Sequence, residues 1–325
     1  MTTAPLDLDA LVDPAYREAL AANPGHSIDL SDGIQAAVDR WRATSMQFEP
    51  APPRPGIAVE DHFVPGSDGA PDVMVRVYQP DGLPKPAAAV YNIHGGGMIG
   101  GDVPFGDADC MAYAANLGVI VASVEYRLAP EHPYPAPIED CYAGLLWLWR
   151  QADALGVDRE RIAIRGGSAG GGLAAGLALL ARDRGEVEIC YQVLVFPMLD
   201  DRNITPSSHQ ITDPRVWSRA HNELGWNAYL EGRAGADDIS PYAAPARATD
   251  LAGLPPAYIS VGTLDLFLDE DVDYSQALAH AGVPVELHVY PGAYHGAHGT
   301  VPGAPLSRRW RRDEYQAVER ALGDE

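Results

Sequence analysis

Ser168 stands in the stretch RIAIRGGSAGGGLAAGLALLARD, residues 161–183, with Gly166 and Gly170 at GxSxG spacing and Gly167 directly before it. Glycine is needed where the backbone takes positive φ or another segment approaches closely. A serine at this spacing forms a nucleophile elbow, its hydroxyl raised on a sharp strand-to-helix turn. The flanks supply the context: residues 161–165 read as a short buried strand, and Leu173, Leu177 and Leu180 recur at helical spacing after the turn. The N–H groups at the start of that helix then face any negative charge that develops beside the hydroxyl. The competing chemistry for a glycine-rich turn is a phosphate cradle. A Walker loop needs Gly-Lys-Ser or Gly-Lys-Thr, and the chain's single lysine is Lys85, far upstream.

A serine nucleophile needs a base to take its proton and a third group to orient that base. With an elbow of this kind the order along the chain is serine, acid, histidine, each on a loop after a strand. The segment YISVGTLDLFLDE puts Asp265 just past one apolar run, and VELHVYPGAYHGAHG puts His295 just past the next. His298 is the other histidine of that loop. Asp269 and Asp271 lie a turn beyond Asp265, where carboxylates suit a helix start, and Asp200, after a different strand, is a rival acid. Upstream, YNIHGGGMIGGD places His94, Gly95, Gly96 and Gly97 directly after a strand. Bare glycines leave N–H groups free to converge on an oxyanion together with the N–H of Ala169.

Composition narrows the partners. A net charge of −22 over 325 residues argues against nucleic acid or an anionic membrane, since both need a basic face. The N-terminus MTTAPLDLDALVDPAYREAL has neither a basic region nor an apolar core, and no segment reaches the ~18 apolar residues of a membrane span. A cytoplasmic protein is the expectation. Cys110, Cys141 and Cys190 are too few and scattered for a disulfide framework; Cys141 and Cys190 read as small core residues. No clustered ligand spacing suggests a metal site, and neither metal nor cofactor is expected.

The elements that must position these residues alternate. Helical patches such as GIQAAVDRWRATSM and the stiff EPAPPRPG make residues 1–55 an N-terminal helical cap segment and linker. From residue 56 to 325, eight apolar strand-like runs alternate with helical patterns: IAVEDHFV, DVMVRVYQP, AAAVYNIHG, GVIVASVEYRL, RIAIRG, ICYQVLVFP, PAYISVG and VELHVYP. Crossover helices between such runs predict an α/β, mostly parallel, doubly wound sheet with helices on both faces. Residues about 200–245 break the alternation and carry a helix, WSRAHNELGWNAYLEG. An insertion there would lie over the carboxyl edge of the sheet as part of a cap.

HGGG at 94–97, YRLAPEHPYPAP at 126–137, GGSAGGG at 166–172 and YPGAYHG at 290–296 together resemble the bacterial hormone-sensitive-lipase-like carboxylesterases, and SPYAAPARATDLAGLPPAYIS with VEYRLAPE points to the acetyl and heroin esterase branch. The similarity covers residues about 60–320. It implies an α/β-hydrolase fold with a helical cap, no cofactor, a triad on Ser168, Asp265 and His295, and oxyanion donors on Gly96, Gly97 and Ala169. The implied function is hydrolysis of short acyl esters, acetyl to butyryl. An arylformamidase or amidase would use the same triad, and a non-catalytic ligand receptor on this fold is the alternative from another class. The expected partner is a small-molecule ester; a homodimer stays open.

The chain also departs from the family. Gly167 stands where relatives often carry Asp before the serine, Gly172 where they often carry Asn, Met98 where an aromatic commonly follows HGGG, Leu266 and Phe267 where DPL is usual, and Ala297 where Phe is usual. Missing side chains at Gly167 and Gly172 predict a wider acyl side, with Met98 as a substrate contact and Trp217 as a residue that could fill the space. Arg127 and Glu131 are expected to hold the YRLAPE loop beside HGGG by pairing or hydrogen bonding.

Overall fold

A computed structural model describes residues 4–46 and 51–323. Residues 1–3, and residues 47–50 within the expected N-terminal segment and linker, lie outside the described residues, as does the side chain of Asp68. The helices are α1 Leu8–Leu11, α2 Arg17–Ala22, α3 Ile34–Ser45, α4 Val103–Leu117, α5 Ala136–Arg150, α6 Ala152–Leu155, α7 Ala169–Arg184, α8 Pro206–Gln210, α9 Arg219–Tyr229, α10 Leu268–His280, α11 Ala297–Thr300 and α12 Pro305–Leu322. The strands are β1 Ile57–Val64, β2 Val73–Pro80, β3 Ala87–Ile93, β4 Ile120–Glu125, β5 Val157–Gly167, β6 Tyr191–Val195, β7 Ala257–Leu264 and β8 Val285–Tyr294. Each of the eight apolar runs read from the sequence is one of these strands.

The strands form one sheet in the order β1-β2-β4-β3-β5-β6-β7-β8, with β2 antiparallel to both its neighbours and every other pairing parallel. Successive strand residues point to opposite faces, and all seven residues of β3 are buried, so both faces of the sheet are covered. The order reverses beside β3: its crossover runs to β4 on one side, and the chain then returns to β5 on the other. Such a reversal opens a crevice beyond the carboxyl ends of the strands. The register pairs Ile93 at the end of β3 with Gly166, and Gly167 with Val195 at the end of β6, so three loops leave the sheet at one level.

The helix that follows the elbow is built to sit inside. From Ala169 to Ala181 every residue of α7 is buried, which its glycine, alanine and leucine composition allows on all sides. Below the elbow Arg165 ties two helices to β5. It meets Glu314 of α12 at 2.9 Å, Asp109 of α4 at 2.7 Å and the Asn92 side chain at 2.9 Å. A buried guanidinium keeps its charge only when surrounded in this way, and the two carboxylates hold its pKa well above the ordinary arginine value against the opposing effect of burial. Cys110 and Cys141 are buried and Cys190 half-buried, all as free thiols.

The N-terminal helices and the 200–245 segment meet over the carboxyl edge. Leu6 donates its N–H to the Gln210 carbonyl, Arg215 pairs with Asp9, and the Trp41 ring of α3 meets the Trp217 ring edge to face at 5.8 Å. The same N-terminal segment reaches the end of β8, where the Asp13 N–H donates to the Gly292 carbonyl and Tyr16 packs edge-on against Tyr294.

Candidate active site

Ser168 has φ 58° and ψ −126°, a strained conformation for a residue with a side chain, and it is the residue that caps α7. The glycines around it are required by close approach. A Cβ on Gly166 would fall 2.1 Å from the Gly170 carbonyl oxygen, and one on Gly170 would fall 2.2 Å from that of Ile93. The Ser168 N–H donates to Val195, and its carbonyl accepts from Gly172 and Met198, so the turn is locked to β6 and to its own helix.

Three loops bring the predicted polar residues together. His295 Nε2 lies 2.9 Å from Ser168 Oγ, and His295 Nδ1 lies 2.8 Å from Asp265 Oδ2. Asp265 is fully buried at the end of β7, and its second oxygen accepts the N–H of Phe267 at 3.1 Å. A carboxylate against Nδ1 leaves Nε2 as the nitrogen free to accept from the serine hydroxyl. The imidazole is further held between two rings, Phe196 at 4.6 Å and Phe267 at 5.2 Å, both edge-on. Neither phenylalanine was singled out as a contact in the sequence. Phe267 was visible only as the departure from DPL, and Phe196 only as the residue closing an apolar run.

The other candidates are engaged elsewhere. Asp200 is held by a two-pronged pairing with Arg202, at 2.8 Å on each oxygen. Asp269 accepts the N–H of Ser207 at 2.7 Å. Asp271 is fully buried with neither carboxylate oxygen partnered among the described residues, and desolvation raises its pKa well above the usual carboxylate range. His298 lies behind Phe196, stacked on Trp310 at 4.9 Å, and burial pushes its pKa down to about 4.

The glycine loop after β3 lies against the elbow: a Cβ on Gly95 would stand 2.9 Å from the Gly167 oxygen and 3.4 Å from Ser168 Cβ. Inside the loop, the Ile99 and Gly100 N–H groups both donate back to the Gly96 carbonyl, at 3.1 and 2.9 Å. The N–H groups of Gly96, Gly97 and Ala169 meet no protein acceptor among the described residues. Gly96 and Gly97 have φ of 118° and 65°, which favours glycine at both places. His94 supports the loop from below. Burial pushes its pKa down to about 4, so the neutral ring donates Nδ1–H to the Gly95 carbonyl at 2.8 Å while stacking on Tyr126 at 4.2 Å. The Tyr126 hydroxyl in turn donates to the His94 carbonyl.

Trp217 presses its ring on Gly97, where a Cβ would fall 2.2 Å from Cη2, and stands 6.4 Å from the His295 ring. The indole is fixed by Nε1–H donating to Asn222 at 3.1 Å. Met98, with φ 63°, is fully buried, and its carbonyl accepts from the N–H of Ala129. Gly167 faces Phe196 with room to spare, a Cβ there meeting Cε2 at 3.7 Å. Gly172 corrects the reading of a vacated space: a Cβ there would fall 2.1 Å from the Met198 carbonyl oxygen, so backbone already fills the place of the missing side chain.

The YRLAPE loop is held by two ion pairs, through Arg127 and Glu131 as expected but to partners that the sequence reading did not name. Arg127 grips buried Asp140 at 2.7 Å on each oxygen. Glu131 receives both terminal nitrogens of Arg42, at 2.7 and 2.9 Å, and these bonds push its pKa down to about 2. Arg42 comes from α3, some 90 residues earlier, and no spacing in the sequence points to it.

Comparison with known proteins identifies the family. Residues 90–299 match a family described by its alpha/beta hydrolase fold. Esterase LipI of Mycobacterium tuberculosis is 38% identical over 299 residues, covering 90% of this chain and 91% of that protein. Ethyl acetate hydrolase of Pseudomonas putida is 34% identical over 224 residues, covering 68% and 70%. Among solved structures, a bacterial heroin esterase superposes with a TM-score of 0.90 at 41% identity over 98% of this chain and all of that one. The chain belongs to the hormone-sensitive-lipase-like alpha/beta hydrolases and is a carboxylic ester hydrolase.

Proposed function

We propose that the protein is a serine carboxylesterase that hydrolyses short acyl esters, acetyl to butyryl, through an acyl-enzyme. The observation that carries this reading is the unbroken hydrogen-bonded chain from Ser168 Oγ through His295 to buried Asp265, placed beside glycine amides that meet no protein acceptor. His295 takes the hydroxyl proton as Ser168 attacks the ester carbonyl, and Asp265 stabilises the imidazolium that forms. The N–H groups of Gly96, Gly97 and Ala169 hold the tetrahedral oxyanion, Ala169 with the added field of the α7 N-terminus. His295 then protonates the leaving alcohol, and water attacking the acyl-enzyme repeats the sequence.

Three features support the short acyl group. Trp217 and Phe196 stand close around His295, and the roof is built by the N-terminal helices and the 200–245 segment acting together as a cap. Ethyl acetate hydrolase, among the relatives, carries a short acyl ester in its name. Substrate contact is assigned to Trp217 and Gly167; Met98, expected as a third contact, is fully buried and offers a substrate no surface. The test is turnover of nitrophenyl esters from acetate to octanoate by the protein and by its Ser168→Ala variant. Activity peaking between acetate and butyrate, lost in the variant, is expected; activity that persists in the variant would overturn the serine mechanism.

A further inference from the structure

The Arg42 side chain of α3 reaches under the oxyanion loop. Its Nε–H donates to the Ile99 carbonyl at 2.6 Å, and Nη2–H donates to the Ala129 carbonyl at 2.8 Å while the fork also holds Glu131. The Ile99 carbonyl and the Gly100 N–H belong to one peptide unit, and in a trans peptide they point in opposite directions. That Gly100 N–H donates to the Gly96 carbonyl at 2.9 Å. The Gly96 carbonyl in turn shares its peptide unit with the Gly97 N–H. A line of donors therefore runs from a guanidinium, through two peptide planes, to an amide that meets no protein acceptor.

We infer that Arg42 is a positioning residue for the proposed oxyanion site: it orients the Gly97 N–H through the Ile99–Gly100 and Gly96–Gly97 peptide units. The inference rests on the ester-hydrolase reading of Ser168 and the glycine loop. Two physical effects act along the line. Fixing the Ile99 oxygen fixes the plane whose N–H anchors Gly96, so the Gly97 N–H cannot rotate away from the space beside Ser168. Each hydrogen bond also polarises the next, and here the first donor is a cation, which strengthens the last donor toward a developing negative charge. The helix that carries Arg42 is seated on the same loop by Trp41, whose Cζ3 would lie 2.7 Å from a Cβ on Gly100. The N-terminal segment thus does more than cover the site.

The experiment compares wild type, Arg42→Met, Arg42→Lys and, as a control on the same helix, Arg40→Ala, whose side chain bonds among the described residues to Asp32 and the Asp29 carbonyl. Four quantities are measured: kcat and KM for nitrophenyl acetate, the Ki of an alkyl boronic acid that forms an anionic tetrahedral adduct, and the Ki of an uncharged ether analogue of the ester. In Arg42→Met, kcat and boronate affinity should fall together by about tenfold to a hundredfold, less than the loss of a donor itself, while KM and the ether Ki move by less than about threefold. Arg42→Lys, which keeps the charge and one donor nitrogen in place of three, should recover part of the loss, and Arg40→Ala should behave as wild type. A rise in KM at constant kcat, or equal weakening of boronate and ether, overturns the inference and leaves Arg42 as an anchor for the cap. Should Arg42→Met fail to fold, Arg42→Lys decides alone: reduced kcat at constant KM supports the inference and unchanged kcat overturns it. Ser168→Ala separates this from the broader reading. If that variant is inactive while kcat is indifferent to Arg42, only the positioning role is lost.

Discussion

The Trp217 indole occupies the place that a side chain on Gly97 would need, 2.2 Å from an added Cβ. Gly97→Ala would therefore meet both a ring and a left-handed φ of 65°. The loop has to shift, carrying the Gly96 and Gly97 amides with it. We expect kcat to fall by about 10²–10³, the cost of an oxyanion donor. Adding Trp217→Ala relieves the clash but not the backbone strain, so the double variant should recover part of the activity. Steady-state kinetics on nitrophenyl acetate for the three proteins gives the answer.

Removing Asp265 should hurt less than removing Ser168 or His295, because the acid orients the base without carrying the proton. Asp265→Asn is expected to lose up to about 10⁴ in kcat yet stay measurable. Asp200→Asn breaks only the pairing with Arg202 and should keep most activity. A reversed ranking in kcat would move the acid to the loop after β6.

Three buried histidines should take stability away as the solution is made acidic, against the opposite effect of buried Asp271, whose raised pKa lets the folded chain take up a proton before the unfolded one. Burial pushes the imidazoles of His94, His221 and His298 from an ordinary 6.5 to about 4. The unfolded chain takes up protons on them near 6.5 while the folded one does not until about 4, so each contributes stability that is lost as pH drops through that window. The slope is up to about 1.4 kcal/mol per pH unit for each histidine. His298→Phe keeps a ring against Trp310, removes an Nδ1 with no partner among the described residues, and should flatten the slope while leaving turnover intact. Urea unfolding at several pH values between 7 and 4.5 measures it.

Gly167 tests the acyl side. A Cβ there meets only Phe196 and the Val195 carbonyl at 3.7 and 3.9 Å, so Gly167→Asp should fold. It should shift kcat/KM toward acetate, by roughly 1 to 3 kcal/mol for each methylene excluded. An unchanged profile over acetate to octanoate would place the acyl group elsewhere. Gly172→Asn, by contrast, meets the Met198 carbonyl oxygen at 2.1 Å and should cost stability, read as a lower midpoint in urea.

The sequence by itself determined the sheet and singled out the three residues that the structure joins in one hydrogen-bonded chain. Buried parallel strands leave an apolar run with little else to encode, and α3 and α9 could be read as GIQAAVDRWRATSM and WSRAHNELGWNAYLEG because helix periodicity is local. Ser168, Asp265 and His295 were legible because each lies at the end of a strand, in an order the elbow motif prescribes, so local pattern and chain order sufficed to name them. The tertiary structure decided what touches what across distance in the chain. Nothing local to Gly172 says that the Met198 backbone already fills the space beside it, and nothing local to residues 34–45 says that Arg42 ends at Ile99, Ala129 and Glu131. Such contacts depend on where separate segments land when the core closes. A side chain that acts through the backbone of a distant loop leaves no spacing by which a sequence could betray it.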